Sequence, residues 1–184
     1  PSNVAIDNFQ LGKTKINSLR FSAIGDQSKI HFKNIFMNTD DITIRGNGSW
    51  NVMDPRTTTE LTVNGRSINS ILNYFNYNID NIENEKSVIT LKGSWNNHPH
   101  EFALAALEGD LAITLTKGRI LNLKTGSGRL FGLLSFQTLP RRLSLDFEDL
   151  IKKGLRYDVV SGNFQISARI AETSNLTLIG PSAM

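Results

Sequence analysis

The chain has 184 residues and a formal net charge of +3, so it fits one domain or a segment of a longer protein. It contains no cysteine, which excludes disulfides, thiolate metal sites and a cysteine nucleophile. No apolar run approaches the roughly 20 residues that span a bilayer, and no basic stripe with interleaved aromatics suggests nucleic acid as a partner.

Alternating apolar residues fill the first third of the chain in short runs separated by turn-forming residues. Such runs predict antiparallel strands with one apolar and one wet face. The first run has an irregularity at Asp7-Asn8, and Asn64-Gly65 at the end of the last run predicts a hairpin. The runs comprise Val4, Ile6, Phe9 and Leu11; Leu19, Phe21 and Ala23; Ile30, Phe32, Ile35 and Met37; Ile42 and Ile44, leading into the glycines at 46 and 48; and Leu61 and Val63.

A helical period follows these strands. Ile68, Ile71, Leu72 and Phe75 fall at i, i+3, i+4 and i+7, which places them on one face of a helix. Ser67 precedes them and can cap the free amides of the first turn. The sequence therefore predicts a short amphipathic helix here.

The triplet Gly-Ser-Trp occurs twice, at 48–50 and at 93–95. Each copy follows an alternating run and precedes a turn with a proline, Pro55 or Pro99. This recurrence predicts two copies of one strand–turn–strand unit.

The second half of the chain again alternates, with one helical interruption. Between Gly126 and Leu139 the apolar spacing becomes helical, and Pro140 ends the helix because the residue before proline avoids the α region. The predicted strands carry Phe102 and Leu104; Leu111, Ile113 and Leu115; Leu121 and Leu123; Leu143, Leu145 and Phe147; Leu155, Tyr157 and Val159; Phe164, Ile166, Ala168 and Ile170; and Leu176 and Leu178.

The predicted fold class is therefore mainly β, with antiparallel strands in a curled, groove-like or sandwich-like sheet and two short amphipathic helices. An all-β chain can close its sheet, pair two sheets or curl one sheet over its apolar face. Periodicity alone does not choose among these.

Polar clusters give no catalytic constellation. His98-Pro99-His100-Glu101 has two imidazoles at close spacing, but a solvated turn is favoured over a metal site because no third ligand accompanies them. Asp146, Glu148 and Asp149 are explained by helix capping and a polar strand face. We therefore expect no enzyme activity, no cofactor and no metal.

Basic residues gather around the second helical stretch, and two interpretations remain open for them. They could contact anionic lipid headgroups or an acidic partner, or they could be solvated helix and turn ends. The residues are Arg129, Arg141, Arg142, Lys152, Lys153 and Arg156.

The same stretch carries a family resemblance. Its motif consists of Gly126, Gly128, Arg129, Leu130, Gly132, Leu133, Leu134, Ser135, Leu139, Pro140, Arg141, Arg142, Leu143, Leu145, Asp146, Phe147 and Asp149. This motif resembles the AsmA-like C-terminal region of YhdP-type proteins, and the similarity covers about residues 87–184. The upstream Gly93-Ser94-Trp95 with Pro99 and Phe102 is also similar to that family.

The resemblance implies a fold, a place and a function. Such proteins are relatives of TamB, anchored in the inner membrane of Gram-negative bacteria and extended through the periplasm as a long curled β-sheet with an apolar groove. They are implicated in moving phospholipid towards the outer membrane and in maintaining its barrier. We therefore expect residues 1–184 to be a single periplasmic segment of a larger envelope protein. Phospholipid would be its ligand, other parts of the chain would contact the membrane, and envelope proteins are possible partners.

The family resemblance implies roles for three sets of residues. The alternative is a closed β-sandwich that serves as a structural or interaction module. Arg129, Arg141 and Arg142 are candidates for headgroup or partner contact. Leu130, Phe131, Leu133 and Leu134 are candidates for a helix that covers the groove. The candidate groove lining is Leu111, Ile113, Leu115, Leu121, Leu123, Leu143, Leu145, Phe147, Phe164, Ile166, Leu176 and Leu178.

Overall fold

The computed structural model describes residues 2–12, 14–75, 77, 79, 81–121 and 154–180. Within these ranges the chain forms ten strands, one α-helix and two short 3-10 turns, Pro99–Glu101 and Leu104–Ala106. The elements are β1 (Ser2–Leu11), β2 (Thr14–Gly25), β3 (Lys29–Asn38), β4 (Ile42–Asn51), β5 (Arg56–Gly65), α1 (Ile68–Tyr74), β6 (Ile82–Asn96), β7 (Glu108–Ile120), β8 (Leu155–Ser167), β9 (Ile170–Glu172) and β10 (Thr177–Ile179).

All ten strands belong to one open antiparallel sheet. Strands β1 to β8 pair in chain order, and the far edge of β8 is shared by β9 and β10. The predicted mainly β, antiparallel fold class is confirmed. Of the predicted forms, the described residues adopt the open curled sheet and not two packed sheets.

The sheet curls around α1. One hydrophobic cluster runs from Phe9 on β1 to Ile89 on β6 and contains Ile71 of the helix. A second runs from Ile82 on β6 to Leu178 on β10 and contains Ile68. A helix of seven residues is only about 10 Å long, whereas so many strands laid flat would extend about 40 Å. Both clusters can meet at α1 only because the sheet bends towards it.

Bulges keep the apolar side chains on the inner side of this curve. Asn34 has a φ of 53° and lies where the pairing of β3 with β4 shifts register between Phe32 and Ile35. The extra residue resets the alternation, so that Phe32 and Ile35 share a face although an odd number of positions separates them. Asn8, with a φ of 54°, confirms the irregularity predicted at Asp7-Asn8.

Two glycine signals have a different role from the predicted one. The prediction of a hairpin at Asn64-Gly65 is wrong, because Gly65 ends β5 and the chain continues into α1. A Cβ at Gly65 would lie 2.6 Å from Ile71 Cγ1, so the glycine allows the helix to approach the strand. Gly46 and Gly48 likewise lie inside β4 rather than at its end.

Two predicted strand segments are also corrected. Phe102 and Leu104 belong to the region of the 3-10 turns, where Phe102 packs against Trp95 with ring centroids 5.2 Å apart. Ala168 and Arg169 both have positive φ, 50° and 67°, and form the tight turn between β8 and β9. In each case tertiary packing or turn geometry overrides the alternating pattern.

The repeated Gly-Ser-Trp triplets occupy matching positions on either side of β5. Trp50 on β4 and Trp95 on β6 are both paired with Thr57 in register. Each triplet ends its strand just before a proline-containing turn, as predicted. The second predicted amphipathic helix, with Leu130, Phe131, Leu133 and Leu134, lies outside the described residues.

Candidate functional site

The face of the sheet that carries α1, here called the apolar face, is lined by aliphatic and aromatic side chains in register. Ile44, Val63, Ile89 and Ile113 form one cross-strand row. Leu61, Leu91, Leu111 and Phe164 form the next row along the strands. Directly opposed apolar pairs of this kind stabilise antiparallel sheets, and here they also make the face continuous across five strands.

The outer face of the same strands is polar. Glu60, Lys92 and Asp110 form an exposed cross-strand row in which the sign of the charge alternates. The guanidinium of Arg45 lies over the ring of Phe36, with 4.6 Å from Cζ to the ring centroid. This cation–π contact covers an apolar residue on the outer face with a charged one. The sheet therefore has a polar face towards water and an apolar face on the side of α1.

Three local features fix α1 on the apolar face. Ser67 and Ser70 form a capping box, in which each side chain accepts a hydrogen bond from the other residue's backbone N–H. Asn84 Oδ1 on β6 accepts a bond of 2.9 Å from the backbone N–H of Ile68. Ile71, only 1% exposed, then packs into the first cluster.

A second segment, residues 97–107, extends this covering layer over β6 to β8. Leu107 is 2% exposed and joins Trp95 and Ile166 in a third cluster. Phe75, which follows α1, contacts Phe102 with ring centroids 5.3 Å apart. We call α1, Phe75 and residues 97–107 together the cover.

Three polar side chains on the apolar face have local protein partners. Thr57 Oγ1 donates to Asn97 O at 2.9 Å, and Thr59 Oγ1 donates to Asn47 O at 3.2 Å. Ser87, fully buried, accepts from Asn84 Nδ2 at 2.8 Å. These groups present methyl or methylene surface without leaving an unmet hydrogen-bonding requirement.

Tyr157 is the most perturbed titratable group among the described residues. It is 2% exposed, and its hydroxyl donates to Glu83 O at 3.3 Å. Burial raises the pKa of Tyr157 to about 12, because the phenolate would be separated from water. Burial also raises the pKa of Tyr74, whose hydroxyl lies 3.4 Å from Met37 Sδ. Both groups are neutral at physiological pH and serve packing, not proton transfer.

This shift predicts a loss of stability at high pH. The unfolded state releases the Tyr157 proton near pH 10 and the folded state near pH 12. The contribution of Tyr157 to the free energy of unfolding is therefore fully present below pH 10 and declines as the pH rises towards 12. The limiting slope is about 1.4 kcal/mol per pH unit. Urea unfolding of the wild type and of Tyr157→Phe between pH 8 and 11.5 should show a shallower decline for the variant. Parallel curves would contradict the assignment.

One part of the apolar face lies away from the cover. Five half-buried residues of β1 to β3 belong to none of the three clusters that contain residues of the cover. Phe21 and Phe32 are in edge-to-face contact at 5.8 Å, and Ile30 is paired with Trp50. This set, here called the uncovered strip, comprises Val4, Phe21, Ile30, Phe32 and Ile35.

The structure places the described members of the predicted groove lining on the strands that carry the apolar face or next to them. Leu115, Phe164 and Ile166 are buried, the first and last of them in the clusters, whereas Leu111, Ile113, Leu121 and Leu178 are half-buried. Leu176 is 45% exposed, and one of its methyl groups lies over Gly162. Leu123, Leu143, Leu145 and Phe147 lie outside the described residues, as do Arg129, Arg141 and Arg142.

The remaining sequence candidates show packing rather than chemistry. His98 contacts Trp50 at 4.9 Å and stacks on His100 at 5.6 Å between ring centroids. Across the described ranges there is no group of three or more His, Cys, Asp or Glu residues that could hold a metal ion. Nor does any helix in that part of the chain have the length and hydropathy to cross a membrane.

Sequence reasoning missed two features of this site. The uncovered strip shows the same alternation as the predicted lining, but its strands precede the region of family resemblance. The cover is formed by α1, whose i, i+3, i+4 spacing was visible, and by residues 97–107, in which the turn at Pro99 was predicted but Phe102 and Leu104 were predicted as strand. Periodicity identifies apolar faces but not which of them meet.

A comparison with known families decides the relationship. The family model described as YhdP protein matches residues 2–184. The chain belongs to the YhdP family. The match includes the N-terminal half, so the uncovered strip and α1 lie within the region shared with the family.

A curated relative carries the same name. The intermembrane phospholipid transporter YhdP of Escherichia coli (strain K12) is 26% identical over 143 residues, which is 76% of this chain and 11% of the relative. The chain thus spans about a tenth of the length of that YhdP protein. No solved structure matches the chain.

Proposed function

We propose that this chain is a segment of a phospholipid transporter, and that its apolar face shields acyl chains from water while they move between the two membranes of the envelope. The observation that carries the proposal is the open sheet with one continuous apolar face in a member of the YhdP family. The name of the curated relative, an intermembrane phospholipid transporter, supports phospholipid as the ligand.

The physical basis is transfer of hydrocarbon from water to an apolar surface. Each methylene kept from water contributes about 0.8 kcal/mol, so a chain that slides along a continuous apolar face never meets the full cost of hydration. Opposed apolar pairs outside the cover, such as Val4 with Phe21 and Ile30 with Trp50, give the continuity that sliding requires. No bond is made or broken, so the proposed protein is not an enzyme and requires no cofactor.

The proposal extends to the place and partners of the chain. We place it in the periplasm, as one segment of a larger inner-membrane-anchored protein of a Gram-negative bacterium that supports the outer-membrane barrier. Membrane contact would come from other parts of that protein, with envelope proteins as further partners. Arg129, Arg141 and Arg142 would contact headgroups or such partners, and the predicted helix with Leu130, Phe131, Leu133 and Leu134 would cover part of the groove.

The test is whether phospholipid accompanies the protein. The protein as expressed in its own cells is purified in mild detergent, and bound lipid is extracted and quantified by mass spectrometry. We expect phospholipid in at least equimolar amount. Phospholipid no higher than that recovered with an unrelated β-rich periplasmic protein purified in parallel would refute the proposal.

A further inference from the structure

We infer that acyl chains contact this segment on the uncovered strip of β1 to β3 and are excluded from the face of β5 to β8, where the cover ends the groove. This inference rests on the proposed function. It assigns the contact with acyl chains to different residues from the groove lining that the sequence suggested. The opposing possibility is that lipid slides along the whole apolar face.

The covered half of the face has no room for a ligand. A Cβ at Gly65 would lie 2.6 Å from Ile71 Cγ1, and one at Gly93 would lie 3.0 Å from Leu107 Cδ1. Side chains of the cover therefore already touch the backbone of β5 and β6. Hydrocarbon could enter there only if the cover moved away, which would expose the buried side chains of three clusters to water.

The cover is also tied down as one layer. Besides the contact between Phe75 and Phe102, the hydroxyl of Tyr77 accepts a hydrogen bond of 3.3 Å from the backbone N–H of Leu104. Trp95 Nε1 donates to His98 O at 3.1 Å. Together these interactions link α1, the 3-10 turns and β6, so the cover is held at both ends.

The uncovered strip, unlike the covered half of the face, has no layer of side chains from the cover packed on it. Its five side chains are half-buried on the inner side of the curl, and bulky residues from neighbouring strands meet there without a covering layer from the clusters. At about 4.8 Å between strands and 3.4 Å per residue, the strip measures about 10 Å by 17 Å. It is a surface of the size and chemistry that one segment of an acyl chain would cover.

Trp50 at the border of the strip and the cover favours an amphiphile with acceptor oxygens over a pure hydrocarbon surface. Its indole Nε1 is buried and has no hydrogen-bond acceptor among the described residues. A buried donor without a partner costs about 1–3 kcal/mol. The ester carbonyl of a glycerophospholipid would satisfy it while the acyl chain extends over Ile30 and Phe32.

Site-specific photocrosslinking tests the inference. Benzoylphenylalanine is placed at Phe21 or Phe32 in the strip, at Leu91 or Leu111 under the cover, and at Thr90 on the outer face. All these variants are made in the protein as expressed in its own cells. Leu91 and Leu111 are half-buried like the strip residues, and an unchanged melting temperature confirms that each variant folds. After irradiation, adducts are identified by intact-protein mass spectrometry.

We expect phospholipid adducts at Phe21 and Phe32, at least tenfold above those at Leu91, Leu111 and Thr90. Equal or greater adducts at Leu91 and Leu111 would overturn the inference and leave the proposed function standing. So would adducts of the strip with another protein or a second copy of the chain while phospholipid still co-purifies. Absence of phospholipid from both the purified protein and every adduct would instead refute the proposed function itself.

Discussion

Replacing Gly46 with alanine is expected to lower the free energy of unfolding by about 3 kcal/mol or more. Gly46 has a φ of +154°, a conformation that costs other residues about 1–3 kcal/mol. An added Cβ would also overlap the backbone oxygen of Glu60 and lie 2.9 Å from Leu61 Cα. The neighbour is backbone, which cannot rotate away, so overpacking adds about 1–3 kcal/mol. Urea unfolding followed by circular dichroism measures the change.

Gly180→Ala provides the matched control. A Cβ at Gly180 would meet no atom of the described residues within 4 Å, and its backbone is not in the positive-φ region. We expect a change within about 0.5 kcal/mol for this surface substitution. If Gly46→Ala were as harmless as the control, then β4 and β5 could not pair as closely as the register from Ile42 to Asn51 requires.

The second large effect concerns the ligand. Phe32→Asp is expected to reduce co-purified phospholipid at least tenfold, because it places a carboxylate in the middle of the uncovered strip. A charge buried under hydrocarbon costs several kcal/mol, and one factor of ten corresponds to only about 1.4 kcal/mol. Loss of the contact with Phe21 should cost about 0.5–1.5 kcal/mol of stability, which leaves the sheet folded. Lipid mass spectrometry and a melting curve measure the two effects separately.

His31→Asp is the control for this variant. It introduces the same carboxylate one position earlier on β3, where the side chain is exposed and faces outward. We expect phospholipid content to stay within a factor of two of the wild type. Equal retention of phospholipid by Phe32→Asp and His31→Asp would mean that the strip does not hold acyl chains.

The division between strip and cover also changes how this segment would work within a longer groove. Strand β1 forms one edge of the sheet among the described residues, and the strip begins at this edge with Val4. At the other edge, the side of β8 that faces away from β7 is paired only with the three-residue strands β9 and β10. The apolar surface is therefore open towards β1 and packed towards β8. A longer groove would continue from the β1 side of this segment and end on its β8 side.

Several features of the fold were determined by the sequence itself. The alternation of Leu61 with Val63 and of Leu111 with Ile113 assigns one face to each strand, since strand side chains point alternately to opposite sides. The spacing of Ile68, Ile71, Leu72 and Phe75 defines α1, and Ser67 caps it as predicted. These features depend on neighbours along the chain, so local patterns are sufficient to reveal them.

The positions of these elements relative to one another were decided only by the tertiary structure. Gly65 could have been a hairpin residue, but the close approach of Ile71 makes it the site where the helix meets the strand. Phe102 and Phe32 are alike as apolar members of predicted strands, yet Phe102 packs inside the cover and Phe32 lies beyond it. Side-chain periodicity records which residues avoid water but not which partner covers them, because that depends on contacts between residues far apart in sequence.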